Sequence, residues 1–350
     1  METIINILVF ILILSLIIVI HELGHLIAAK KFGVYCSEFS IGMGPALLKW
    51  KKGETTWSLR AIPLGGYVQM AGEEGVELDV PHERTINGIK PWKQIVVMAA
   101  GAIMNVLLAY AVFTGLFMAQ GVASVPSDPV ISSVIENSPA ATVGMQANDK
   151  IVKITMPDGS SYVPETFDDL GKALDHYQEG MLLFTVDRDG KQIDFKLTPQ
   201  WNEDYQAYMI GVKAEGKVKN ISWYEAFYYG GKELVDMTGQ IMIGLGNLIR
   251  GVGLKDVSGP VGIYQATSQV ANAGLIALVM WLGLLSLNVG IFNLIPIPIL
   301  DGGRILIVLV EKAIGHKLSE KVQTAVMMAG LVLIIALMLF ATANDIGRLF

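Results

Sequence analysis

Apolar positions fall into long uninterrupted runs, and the polar stretches between them carry two different rhythms. Residues 4 to 28, 94 to 120, 275 to 300 and 322 to 343 are almost free of charge. Each supplies about the 20 apolar residues that a helix rising about 1.5 Å per residue needs to cross a bilayer core. They predict four transmembrane helices. Between the first two, "FSIGMGP" and "WSLRAIPLGGYVQM" read as short strands punctuated by Gly42, Gly44, Gly65 and Gly66 at turns. Residues 125 to 220 have the charge and turn density of a water-soluble domain. There "PVISSVIENSPAATVGMQANDKIVKI" predicts a strand, a helix start at Ser138 and Pro139, and a second strand. "TFDDLGKALDHY" reads as a short amphipathic helix, and "MLLFTVDRDGKQIDFKLTP" as a hairpin turning at Asp189 and Gly190. Residues 221 to 250 mix aromatic and apolar positions with few charges. They predict an interfacial helix with Trp223, Tyr224 and Tyr228 at headgroup level, a plain spacer being the competing reading. The expected divisions are a membrane region over 1–124, the soluble insert over 125–220, an interfacial linker over 221–257 and a second membrane region over 258–350.

Composition agrees with a membrane protein: 52% of the 350 residues are hydrophobic and the mean hydropathy is +0.49. The net charge of −6 leaves no basic surplus of the kind nucleic-acid binding requires. Cys36 is the single cysteine, which excludes an intrachain disulfide and a thiolate metal cluster. The N-terminus "METIIN" lacks a positive segment and no small-residue cleavage pattern precedes Lys30, so a retained helix is expected rather than a signal peptide. Lys30, Lys31, Lys49, Lys51, Lys52, Arg60, Arg84, Lys90 and Lys93 crowd between the first and second runs. Arg304, Lys312, Lys317 and Lys321 lie between the third and fourth. The positive-inside rule places both connections in the cytoplasm, with both termini and the insert outside.

The stretch "IIVIHELGHLIAAK" puts His21, Glu22 and His25 inside the first run, where ionisable groups are costly and function is the default reading. Four residues apart on a helix, the two imidazoles share a face and can reach one cation. Glu22 lies about 100° round, close enough to take a proton from water activated there. A chance match at headgroup level is the competing reading. A third ligand is needed. His82, His176 and His316 do not continue the helix, whereas "NLIPIPILDGGR" delivers Asp301 after a charge-free stretch at the inner end of the third run. The spans alternate in direction, so Asp301 and "HELGH" fall at similar depth. Pro296 and Pro298 forbid a regular helix before Asp301, and Gly302 and Gly303 loosen the backbone after it. A helix-end salt bridge of Asp301 to Arg304 is the alternative. Asn293 stands at the start of the break, with an amide able to donate to a substrate carbonyl.

Taken in order, "HELGH", "FSIGMGP", "IPLGGYVQMAGE", "SGPVGI" and "NLIPIPILDGG" resemble the bacterial site-2 metalloproteases of the regulator of sigma E protease type over nearly the whole chain. The resemblance implies Zn2+ held by His21, His25 and Asp301, with Glu22 as general base and acid and Asn293 positioning substrate. It implies that the glycine-marked strands, with Gly42, Gly44, Gly65 and Gly66, form a membrane-dipping sheet that pairs with unwound substrate. A plain amphipathic hairpin on the membrane surface is the competing reading. In "AAGAIMN" of the second span Ala102 stands where the family pattern has proline, while Asn105 is kept, which puts a local bend there in doubt.

The expected fold is a polytopic α-helical membrane protein of about four transmembrane helices, with a membrane-associated β-hairpin region and one extracytoplasmic PDZ-like α+β domain. The expected function is regulated intramembrane proteolysis in the bacterial inner membrane. Its substrates would be single-span proteins, either anti-sigma-factor-like regulators or remnant signal peptides. The PDZ-like insert would either capture an extended peptide by β-augmentation or act as a size filter. A metal transporter and an inactive PDZ scaffold are the alternatives; a base-like Glu22 beside an intact "HELGH" speaks against both.

Overall fold

The first apolar run forms one unbroken helix, α1 (Glu2–Lys31), with Lys30 and Lys31 in its last turn and Gly33 in the left-handed conformation just beyond. The chain then makes two long antiparallel strands, β1 (Cys36–Lys52) and β2 (Thr55–Met70). Both bend in the middle, β1 at Gly42 and Gly44 (φ +87° and +84°) and β2 at Gly65 (φ +90°). Their register doubles back: Thr56 to Leu59 pair both with Leu48 to Lys51 and with Glu38 to Ile41, which in turn pair with Gly66 to Gln69. The two bent strands thus lay four segments side by side in one sheet, antiparallel at both outer pairings and with 38–41 running alongside 56–59 in the same direction, and residues 66–70 form one edge. Gly66, expected at a turn, lies instead in extended strand, where a Cβ would stand 2.8 Å from the Ser40 carbonyl oxygen. Phe39, Val68 and Met70 bury against Leu26, Ala29 and Val97, so the sheet is held to the helices by its own side chains.

In this computed structural model the described residues are 2–73, 78–175, 177, 179–202 and 207–348. The chain divides into Met1–Gln120 with Trp223–Phe350, and Gly121–Ser222. The second run becomes α2 (Pro91–Gln120), unbroken at Ala102, which is fully buried. α1 and α2 meet so closely at Gly24 and Ala100 that a Cβ on Gly24 would collide with the Ala100 carbonyl. Small residues serve here because lipid is as apolar as any side chain, so burial alone does not drive membrane helices together.

The unit Gly121–Ser222 holds β3 (Val122–Val125), β4 (Ser133–Val134), α3 (Pro139–Thr142), β5 (Lys150–Thr155), β6 (Ser161–Tyr162), α4 (Asp168–Asp175), β7 (Leu182–Arg188), β8 (Lys191–Leu197), β9 (Gln200–Asn202), β10 (Ala207–Met209), β11 (Val212–Lys213) and β12 (Lys217–Asn220). A four-stranded sheet runs in the order β6-β5-β7-β8, while β12 pairs with β3 and β11 with β4. Ile131, Ile151, Ile154, Leu182, Phe184 and Val186 are wholly buried between this sheet and the helices. Ser138 caps α3 by accepting the Ala141 N–H, with Pro139 at the first helical position.

The remaining helices are α5 (Glu225–Ile249), α6 (Pro260–Asn272), α7 (Leu275–Asn293), α8 (Asp301–Ile314) and α9 (Glu320–Gly347). α5 keeps Trp223, Tyr224 and Tyr228 exposed at its start. It also packs against α2 and α7, with Leu234, Met237 and Ile241 in one cluster with Ala109 and Phe113 of α2 and Leu287 of α7. Asp345 of α9 is buried and accepts the N–H groups of Gly259 (2.9 Å) and Gly262 (2.8 Å), which closes the start of α6. The third run does not stay helical to residue 300. Pro296 and Pro298 stop α7 at Asn293, and Asp301 opens a separate helix, α8. Among the described residues four helices, Thr3–Lys31, Pro91–Gln120, Leu275–Asn293 and Lys321–Gly347, are long and apolar enough to cross a membrane.

Candidate metal centre

His21 and His25 project from one face of α1, with their Nε2 atoms 3.1 Å apart. The break between α7 and α8 brings Asp301 to them, its Oδ2 standing 3.1 Å from His21 Nε2 and 3.4 Å from His25 Nε2. One donor atom from each of the three lies within 4.8 Å of the others. Asp301 Oδ2 is buried and has no aligned hydrogen-bond partner among the described residues. Two imidazole nitrogens and a carboxylate oxygen aimed at a common point fit a zinc ion with room for a further ligand.

The loop before Asp301 is tightly built. Ile299 adopts φ +87°, which costs a β-branched residue about 1–2 kcal/mol, and its side chain faces the same cavity as the three donors. Gly302 and Gly303 sit so close to the carbonyls of Leu294, Ile295 and Ile297 that neither could carry a side chain. The close backbone contacts at Gly302 and Gly303 hold Asp301 where it is and sustain the strained Ile299.

Glu22 lies beside the donors in a cavity of about 350 Å³ whose walls also include Tyr67, Met98, Asn293 and Ile299. Its Oε2 accepts the Val68 N–H at 3.1 Å, which ties the carboxylate to the edge segment 66–70. Glu73 and Arg304, paired at 2.8 Å, line another part of the wall, so Arg304 bonds to Glu73 rather than to Asp301. Gly66 approaches Glu22 from the strand, whereas Gly42, Gly44 and Gly65 sit at the bends around Met43 and Ile62 and do not line the cavity. His82 and His316 are exposed, and His176 lies outside the described residues.

Residues of α2 complete the surroundings, among them Asn105, kept in the family pattern near Ala102 but given no task at the histidines by the sequence. The Val97 carbonyl accepts from His25 Nδ1 at 2.8 Å. A Cβ on Gly101 would stand 2.5 Å from His25 Nε2 and 2.7 Å from His21 Nε2, so only glycine leaves space for both rings. Asn105, fully buried, reaches His21 Nδ1 at 3.3 Å. The signal in the sequence is an amide at the middle of an apolar run, four residues after a glycine.

The profile of Peptidase family M50 matches residues 9–337. The chain belongs to Peptidase family M50. Several full-length relatives of this M50 chain carry a zinc-metalloprotease name. A Clostridium acetobutylicum protein so named is 34% identical, with 97% of each chain covered. Another, from Clostridium perfringens, is 36% identical over 95% of this chain and 96% of that one. The regulator of sigma-W protease RasP of Bacillus subtilis is 31% identical, with 99% of each covered. The M50 chain is a metalloprotease with apolar helices fit to span a membrane.

Proposed function

We propose that this protein is a zinc endopeptidase that cuts single-span proteins within the bilayer of a bacterial cell membrane, in regulated intramembrane proteolysis. Anti-sigma-factor-like regulators or remnant signal peptides are the substrates. The observation that carries the reading is the convergence of His21 Nε2, His25 Nε2 and Asp301 Oδ2 beside Glu22 in one buried polar cavity.

His21, His25 and Asp301 would hold the zinc, which supplies Lewis acidity toward water and toward the scissile carbonyl. Glu22 accepts the proton of the attacking water and returns it to the leaving amine. The Val68 N–H anchors one oxygen of that carboxylate, so the base is held in place by the strand that borders the cavity. Asn293 donates its amide to the substrate carbonyl. A helical substrate must unwind before its carbonyls can be attacked. The edge segment 66–70 offers replacement backbone hydrogen bonds, its path set by the bends at Gly42, Gly44 and Gly65 and by the bare backbone of Gly66.

The unit Gly121–Ser222 is PDZ-like in this reading, outside the cytoplasm together with both termini. Its short strands around an amphipathic helix suit capture of an extended peptide. A metal transporter would leave Glu22 without a task.

The test is cleavage of a labelled single-span peptide by wild type and by Glu22→Gln. The variant is expected to stay folded and zinc-loaded and to lose cleavage by about 10³-fold or more. Undiminished cleavage would refute the role of Glu22.

A further inference from the structure

Both candidate ligand histidines are gripped from α2. Val97, Gly101 and Asn105 recur every four residues and share one face of that helix. The first takes the Nδ1–H of His25 through its carbonyl, the second leaves space for the rings, and the third brings a buried amide to His21 Nδ1.

We propose that Asn105 is the positioning residue that makes His21 a metal ligand, its amide oxygen accepting the Nδ1–H of His21 and so directing the Nε2 lone pair to the cation. This rests on the reading of His21 as a ligand given above. An imidazole that gives Nε2 to a metal carries its proton on Nδ1, and that proton needs an acceptor. Among the described residues the group beside His21 Nδ1 is the Asn105 amide, placed with its Nδ2 at 3.3 Å. Its NH2 end would oppose a ring N–H, whereas its oxygen completes the bond. Oδ1 is the end of that amide that is buried with no hydrogen-bond partner among the described residues. The two ends have nearly the same shape, so a half-turn about the last side-chain bond exchanges them in the same space.

The backbone of Asn105 is itself fixed. Its carbonyl accepts the Ser286 hydroxyl of α7 at 2.8 Å, and Ser286 is fully buried. α7 leads directly into the break that delivers Asp301. Asn105 therefore joins the helix bearing the histidines to the helix preceding the carboxylate, and an acceptor there sets the tautomer of one ligand.

Zinc affinity is measured by chelator competition on the purified full chain, as wild type, Asn105→Leu and Asn105→Asp. Leucine matches the size but has no acceptor, and is expected to weaken zinc by about 10- to 100-fold. Aspartate keeps an acceptor and is expected to hold zinc as tightly as wild type or tighter. A leucine variant as tight as wild type, or an aspartate variant as weak as leucine, overturns the proposal. Should Asn105→Leu not fold, nitrogen NMR of histidine-labelled, zinc-loaded wild type decides. A hydrogen-bonded proton on His21 Nδ1 supports the role, and a bare or freely exchanging Nδ1 overturns it. Wild type that binds no zinc would overturn the metal centre itself, and this proposal with it.

Discussion

Gly101 is where a side chain would press directly on the two imidazoles. A methyl group there would meet both imidazoles below contact distance, and His25 cannot give way because its Nδ1 is tied to the Val97 carbonyl. Gly101→Val is therefore expected to lower zinc content and to cut cleavage by about 100-fold, while leaving helix content unchanged by circular dichroism. Zinc content equal to wild type would contradict the proposed placement. The ligand candidates and the candidate base were legible in the sequence because charge is scarce in the spans, so His21, His25 and Asp301, and Glu22 with them, stood out against an apolar background. Val97 was not legible, since it acts through its carbonyl, which every residue possesses. Gly101 was not legible either, since what matters there is an absent side chain.

At the scale of elements, the β7–β8 hairpin shows local chemistry that a sequence states outright. Asp189 and Gly190 take φ +54° and +80°, as a two-residue turn requires, and Arg188 pairs with Lys191. The helix break after Asn293 was signalled by Pro296 and Pro298, yet the apolar run continues to residue 300 and hides where the helix stops. The pairing of β1 and β2 as four side-by-side segments was hidden for another reason. It depends on one segment pairing on both of its sides, which alternation along the chain does not encode. In the Gly121–Ser222 unit, Asp149 has a fully buried side chain and accepts from Arg188 Nε at 2.6 Å and from the Gln146 N–H at 2.9 Å. Burial pushes its carboxyl up, but Arg188 and the backbone N–H outweigh this and hold it below the usual carboxylate range. Lys172 and Thr166 hold Asp169 below that range too. Both carboxyls are depressed in the folded state, so their stabilisation is complete above the unfolded value of about 3.9 and is lost as pH falls below it. Amide-exchange protection of β7 and β8 is expected to fall as pH drops from about 5 toward 3. Arg188→Ala leaves the Asp149 carboxylate with the Gln146 N–H but without its cation and should lower the same protection at neutral pH. Unchanged protection would remove the pair from the account.

For the whole molecule, the spans are joined by close backbone contact more than by apolar burial. Gly24 meets Ala100, Gly290 meets Ala102, and Gly330 meets the Pro298 carbonyl, while Val332, Leu337 and Leu339 of α9 stay exposed with lipid as their solvent. Orientation can be read with introduced cysteines, because Cys36 is buried and burial pushes its thiol up to about 11, leaving it inert to maleimides at neutral pH. An impermeant maleimide on intact cells is expected to label Gln192→Cys, and to label Lys317→Cys only once the membrane is opened; the reverse pattern would invert the topology. The central claim is that His21, His25 and Asp301, remote in sequence, hold one ion. The most direct test is the zinc content of purified wild type, His21→Ala, His25→Ala, Asp301→Ala and Glu22→Gln, measured side by side. About one zinc per chain is expected in wild type and Glu22→Gln, with most of it lost in each of the other three. Full occupancy in Asp301→Ala would contradict the account.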